Sequence, residues 1–147
     1  MDSGYFYPSI EQAVAIHHKT IQYSGGGDTG HYDLGRLESV LEHIQNDEYY
    51  PNFVDKLTHL FFCACEFHCF VDGNKRIAIT LSAHFLLLNG YMAVAKTFFA
   101  EMENISYHVA AGNISKELLH KIMVSVLDGT YEFDESLKLE IFNAIDE

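Results

Sequence analysis

Apolar residues recur along the chain at three- and four-residue spacing, the signature of amphipathic helices. After Pro8, Ser9 and Gln12 form a capping box, and Ala13, Ile16, Thr20 and Ile21 make the stripe of a first helix ending before Ser24. Of its two histidines, His17 and His18, at least one is expected to face solvent and neither to be catalytic. A second helix starts at Asp33 or Leu34, places Leu37, Val40, Leu41 and Ile44 inward, and ends in the acidic loop 46–51. A third, over about residues 52–68, carries Phe53, Leu57, Leu60, Phe61, Ala64 and Phe67, and is apolar nearly all round toward its end. The fourth, about 74–89, has no charge from Ile77 to Leu88 and must form the core of the domain, with Asn89-Gly90 as its stop. Residues 91–95 read as a short extended link. Thr97 then caps a fifth helix to about Ala111, with Phe98, Met102, Ile105 and Val109 inward. Ser115 caps a sixth, through Leu118, Leu119, Ile122, Met123 and Val126 to Asp128-Gly129, and Asp134 opens a last one with Leu137, Ile141, Phe142 and Ile145. The fold class is all-α, a single domain over residues 1–147.

The size, 147 residues at 48% hydrophobic and 20% charged, suits one domain with a real core. A formal net charge of −12 disfavours nucleic-acid binding as the main activity and is compatible with a basic partner, or simply with solubility. No run of apolar residues is long enough to span a bilayer, and the N-terminus lacks the basic and apolar regions of a signal peptide, so a cytoplasmic location is expected. Cys63, Cys65 and Cys69 are too few and too close together for a disulfide framework. With no distant cysteine pair to complete a tetrahedral site, they read as small apolar residues rather than ligands.

Chemistry concentrates in the stretch His68 to Arg76, HCFVDGNKR. His68 is a base that titrates near neutrality, and the dipole of the preceding helix end raises its pKa. Asp72 is a hard oxygen donor suited to Mg²⁺. Gly73, Asn74, Lys75 and Arg76 open the buried fourth helix, whose N-terminus is a ready anion site. Gly73 allows close backbone approach there, and Lys75 and Arg76 add charge. A base, a metal ligand and an anion cradle in this order point to reactions at a phosphate ester.

The same nine residues resemble the signature of the Fic/Doc family, H-x-F-x-D/E-G/A-N-x-R, at His68, Phe70, Asp72, Gly73, Asn74 and Arg76. The nucleotidyltransferases of that family usually carry Gly where Lys75 stands, and a second Arg three residues after the first, where this chain has Ile79. The N-K-R form is similar to the Doc branch. A weaker resemblance extends over about residues 8–127, which leaves a tail helix at about 134–147 beyond it.

The resemblance implies a helical bundle with a flap, often a hairpin, over the site. The Gly-rich stretch Ser24 to Gly30 would form it, with His31 and Tyr32 as contact residues. It further implies a protein kinase that uses ATP and Mg²⁺. Asp72 would hold the metal, residues 73–76 the phosphates, and His68 would accept the proton of a Ser or Thr hydroxyl. The implied target is translation elongation factor Tu, and the implied setting a toxin with an antitoxin partner. A Fic-type nucleotidyltransferase and a catalytically silent binding protein are the alternatives. Ser136 and Glu140 have the spacing of an inhibitory S-x-x-x-E segment; without the second Arg, the match is assigned to chance.

Overall fold

The computed structural model describes residues 4–23, 25–27, 30, 33–67, 73–128 and 133–146. Among them are seven helices and no strand: α1 (Ile10–Tyr23), α2 (Leu34–His43), α3 (Phe53–Glu66), α4 (Asn74–Leu88), α5 (Met92–Ala110), α6 (Lys116–Leu127) and α7 (Glu135–Ile145). The central pair is α3 and α4. On α4 pack α1 and α5, on α3 pack α2 and α6, and α7 rests on α6.

The starts of these helices follow from local chemistry. Ser9 donates its N–H to Gln12 Oε1 (2.9 Å) and its Oγ accepts the Gln12 N–H (3.1 Å), closing the capping box. Asp33 Oδ1 accepts from Arg36 N–H, Ser115 Oγ from Leu118 N–H and Asp134 Oδ1 from Leu137 N–H, each relieving one orphan donor of a first turn. In α4 the residues Ile77, Ala78, Ile79, Leu81, Phe85 and Leu86 are all buried, so the helix is a core rod as its composition requires.

Two expectations about element ends are corrected. α5 begins at Met92, so residues 93–95 belong to its first turn and not to an extended link. The inward stripe Phe98, Met102, Ile105, Val109 simply continues back to buried Val94, four residues earlier. Thr97, read as a cap, instead bonds its hydroxyl to the Val94 carbonyl one turn before. α3 stops at Glu66 with Phe67 as C-cap, its N–H donated to the Cys63 carbonyl at 2.9 Å, short of the expected end at residue 68. Of the stretch expected to form the flap, Gly25, Gly26, Gly27 and Gly30 are described without regular structure, while Ser24, Asp28, Thr29, His31 and Tyr32 lie outside the described residues.

Two polar devices fix the bundle away from the predicted chemistry. Lys56 is 0% exposed; its Nζ donates to the Ile44 carbonyl and to Asp47 Oδ1, both at 2.8 Å, fastening the end of α2 to α3. At the far end of α4, the Asn89 amide clasps the backbone of Phe6, accepting its N–H (2.9 Å) and donating to its carbonyl (2.8 Å). Around that clasp Tyr5 meets Phe53, Phe53 meets Phe85 and Tyr91, and Tyr7 stacks on Phe85. The N-terminal segment is thereby pinned across α3 and α4.

Candidate active site

The four sequence-predicted anion-site residues come together at the start of α4. Gly73 is the N-cap in the left-handed conformation (φ 78°), and its carbonyl accepts the Ile77 N–H at 2.8 Å. A side chain at position 73 would be strained there, and its Cβ would meet Ile21 Cδ1 at 2.7 Å. The first turn of α4 contains no acid. Lys75 and Arg76 are exposed on it, and no acid among the described residues pairs with either. A helix start directs N–H groups outward and carries partial positive charge, so these two cations augment a field that is already favourable to an anion.

The support beneath this start comes from α1. His17 is 0% exposed, with Nε2 at 3.7 Å from where a Gly73 Cβ would stand. The Thr20 and Thr80 hydroxyls lie 3.1 Å apart, each also within reach of the carbonyl of its own preceding turn, Ile16 and Arg76, so one proton goes to a carbonyl while the other can cross between the hydroxyls. His18 is exposed, so one histidine of the pair faces solvent as expected.

Arg76 separates two open clefts. One, of about 470 Å³, lies between α1, α4 and α5 and includes Lys19, Tyr23, Thr80 and Phe99. The other, of about 370 Å³, runs between α4 and α5, where Lys75 and Ile79 face Asn104 and Tyr107. Glu103 reaches both. The α5 residues were missed by the sequence reading, because only the packing of α5 on α4 brings them beside the motif.

His68 and Asp72, the expected base and metal ligand, lie outside the described residues, as do Cys69, Phe70 and Val71. Among the described residues no group of three His, Cys, Asp or Glu could hold a metal ion. Cys63 and Cys65 are buried. Burial, with Glu66 adding to it and Lys75 opposing, pushes the Cys65 thiol up to about 12, which suits a packing group and not a ligand or nucleophile.

A third cleft, of about 670 Å³, opens between α2 and α3 and was also missed. Arg36 is exposed, and its guanidinium carbon lies 4.1 Å from the centre of the Phe67 ring, at the residue before His68. Deeper in, Lys116 Nζ donates to His59 Nδ1 at 2.7 Å, which requires a neutral imidazole. Burial, then the charges of Lys116 and His43, hold His59 down to about 4. Tyr50 stacks against that ring at 4.7 Å and Cys63 Sγ approaches its Nε2 at 3.5 Å.

No helix among the described residues is long and apolar enough to cross a membrane. No curated protein matches the chain. Residues 7–86, more than half of it and including the whole of the 68–76 stretch, match the model of the Fic/DOC family. Members of that family are generally transferases that modify proteins, and they typically bind ATP and Mg²⁺. The αL glycine cradle and two cations that pair with no acid among the described residues fit a polyphosphate, and a carboxylate at position 72 would suit Mg²⁺ as a hard oxygen donor. From the motif, the helix start it forms and the family match together, we conclude that the chain belongs to the Fic/DOC family.

Proposed function

We propose that this chain is a Doc-like protein kinase that transfers the γ-phosphate of ATP to a Ser or Thr hydroxyl of a protein. In this reading translation elongation factor Tu is the target, and the chain is the cytoplasmic toxin of a toxin–antitoxin pair. The observation that supports it is the pair Lys75 and Arg76, exposed beside an αL glycine at the start of a buried helix. Lys75 stands where nucleotidyl-transferring relatives usually carry Gly. Ile79, where they carry a second Arg, is 1% exposed and apolar. Charge is thus concentrated in the first turn and absent one turn later, which favours the terminal phosphate near the helix start.

In the proposed reaction His68 takes the hydroxyl proton as the acceptor oxygen attacks the γ-phosphorus. The bond from that phosphorus to the β–γ bridging oxygen breaks, and ADP leaves. Residues 73–76 hold the phosphates in line, and Arg76 and Lys75 offset charge on the equatorial and leaving oxygens. Asp72 would hold Mg²⁺, which when bound would supply Lewis-acid neutralisation of charge on the phosphate oxygens. Positioning carries most of the rate, which suits a site built on a rigid core helix.

The test is to incubate the chain and bacterial lysate with ATP labelled at either the α- or the γ-phosphate, followed by intact-mass analysis of labelled proteins. A phosphate-mass addition carrying γ-label is expected. Label from the α-phosphate, with the mass of a nucleotide monophosphate, would reject the kinase reading in favour of nucleotidyl transfer.

A further inference from the structure

The chain holds only 9 Lys and Arg against 21 Asp and Glu. Lys56, Lys121 and Lys138 are engaged with Asp47, Glu140 and Glu135. Arg36 has no acid partner among the described residues, although acids outnumber cations more than twofold. Its guanidinium carbon lies 4.1 Å from the centre of the Phe67 ring, a cation–π contact that restrains the group while its N–H donors stay accessible to a planar oxyanion. It lines the α2–α3 cleft with Ser39, His43, Asn46 and His59, and the residue under it directly precedes His68 in the chain. Among the described residues that cleft shares no lining residue with the two beside Arg76, so Arg36 is assigned a role separate from phosphate binding.

We infer that Arg36 docks an acidic side chain of the protein acceptor, seated in the α2–α3 cleft on the chain-entry side of the catalytic loop. This deepens the kinase reading and rests on it. A carboxylate placed bidentately on a pre-oriented guanidinium fixes the register of the acceptor segment along the cleft, and so the position of its hydroxyl. Glu42 also lines the cleft, six residues and so about 9 Å along α2 from Arg36, where it would repel a second acid and favour a basic or neutral residue. The net charge of the chain opposes an acidic partner at long range. Within about 8 Å, the Debye length at physiological salt, the local guanidinium governs.

The experiment uses the full chain and two fluorescein-labelled Ser-containing peptides, one flanked by Asp and Glu and one by Lys, read by anisotropy. Arg36→Glu is the informative variant. Position 36 is the third of α2 and its N–H already bonds Asp33, so a glutamate there completes a capping box and suits the helix start. The parent chain is expected to favour the acidic peptide by about tenfold, and Arg36→Glu to remove or reverse that preference. Calorimetric affinity for ATP should stay within about twofold, because the cleft is separate from the helix start. No acidic preference in the parent chain, its persistence in Arg36→Glu, or an equal fall in ATP affinity would overturn the inference. If the preference follows Arg36 while γ-labelled ATP labels nothing, the docking role stands and the kinase reading falls.

Discussion

Ile21 Cδ1 lies 2.7 Å from the place a β-carbon of residue 73 would occupy, so α1 closes over the start of α4 on the space a glycine leaves. The position requires glycine twice, once for its positive φ and once for that contact. Gly73→Ala should therefore cost about 2–4 kcal/mol of stability. Ile21→Val deletes the offending atom, and in a double-mutant cycle by urea unfolding it should recover about 1 kcal/mol of that loss. The remainder is the backbone strain. Strict additivity would show that the two residues do not touch.

Arg76→Ala and Lys75→Ala should each weaken ATP–Mg²⁺ binding about tenfold or more, as expected for loss of one charge-assisted contact. Both side chains are exposed, so unfolding midpoints should barely move. Arg76→Lys should restore charge but not the paired hydrogen bonds, and so only part of the affinity. Isothermal calorimetry with ATP–Mg²⁺ reads all three; unchanged affinity in both alanine variants would remove the helix start from the nucleotide site.

His59 makes stability depend on pH with a definite sign. Its folded pKa, about 4, lies below the ordinary 6.5, so the unfolded chain takes up a proton first as pH falls. The neutral ring's contribution is complete above pH 6.5 and is lost as pH drops from there toward 4. Allowing for solvent screening at a partly exposed site, the loss is about 1–2 kcal/mol. Lys116 and His43 carry the charges that oppose a cation at this ring, with Tyr50 and Cys63 as its other neighbours. Urea midpoints measured at several pH values should fall less steeply for His59→Gln than for the parent chain. Equal slopes would place the imidazole in bulk-like surroundings.

Lys56→Met should destabilise by about 2–4 kcal/mol, since it strips from Asp47 the one cation paired with it among the described residues, and a donor from the Ile44 carbonyl. Lys56→Met with Asp47→Leu should recover part of that, the charge left behind having been removed. Chemical denaturation of both variants decides it. A loss under 1 kcal/mol would mean water replaces the ammonium freely.

Helices and caps were legible because their causes are local: a stripe at positions 37, 40, 41 and 44, or an Asp33 one turn before the N–H it accepts. The anion site was legible for the same reason, its parts being consecutive from Gly73 to Arg76. Lys56 was not, because it sits on the inward face between Phe53 and Leu60 and is tolerated only through a carbonyl twelve residues away. Nor was Arg36 on Phe67, a contact between two helices that no periodicity encodes. The start of α5 was misread because Met92, Val94 and Ala95 suit a strand edge until Phe98 is seen to continue their stripe. Whether His68 and Asp72 converge on the helix start was an expectation, and both lie outside the described residues.

The clasp of Asn89 on Phe6 has a practical corollary for anyone labelling or immobilising this molecule. It sits at the opposite tip of a 15-residue helix from Gly73, about 22 Å away. Gly4, two residues before the clasped Phe6, is exposed near that remote pole, so a fluorophore or surface linker attached at position 4 would report on tumbling and unfolding without crowding the phosphate cradle. Loosening the clasp by Asn89→Ala should give such a probe extra local motion before it disturbs anything at the other tip.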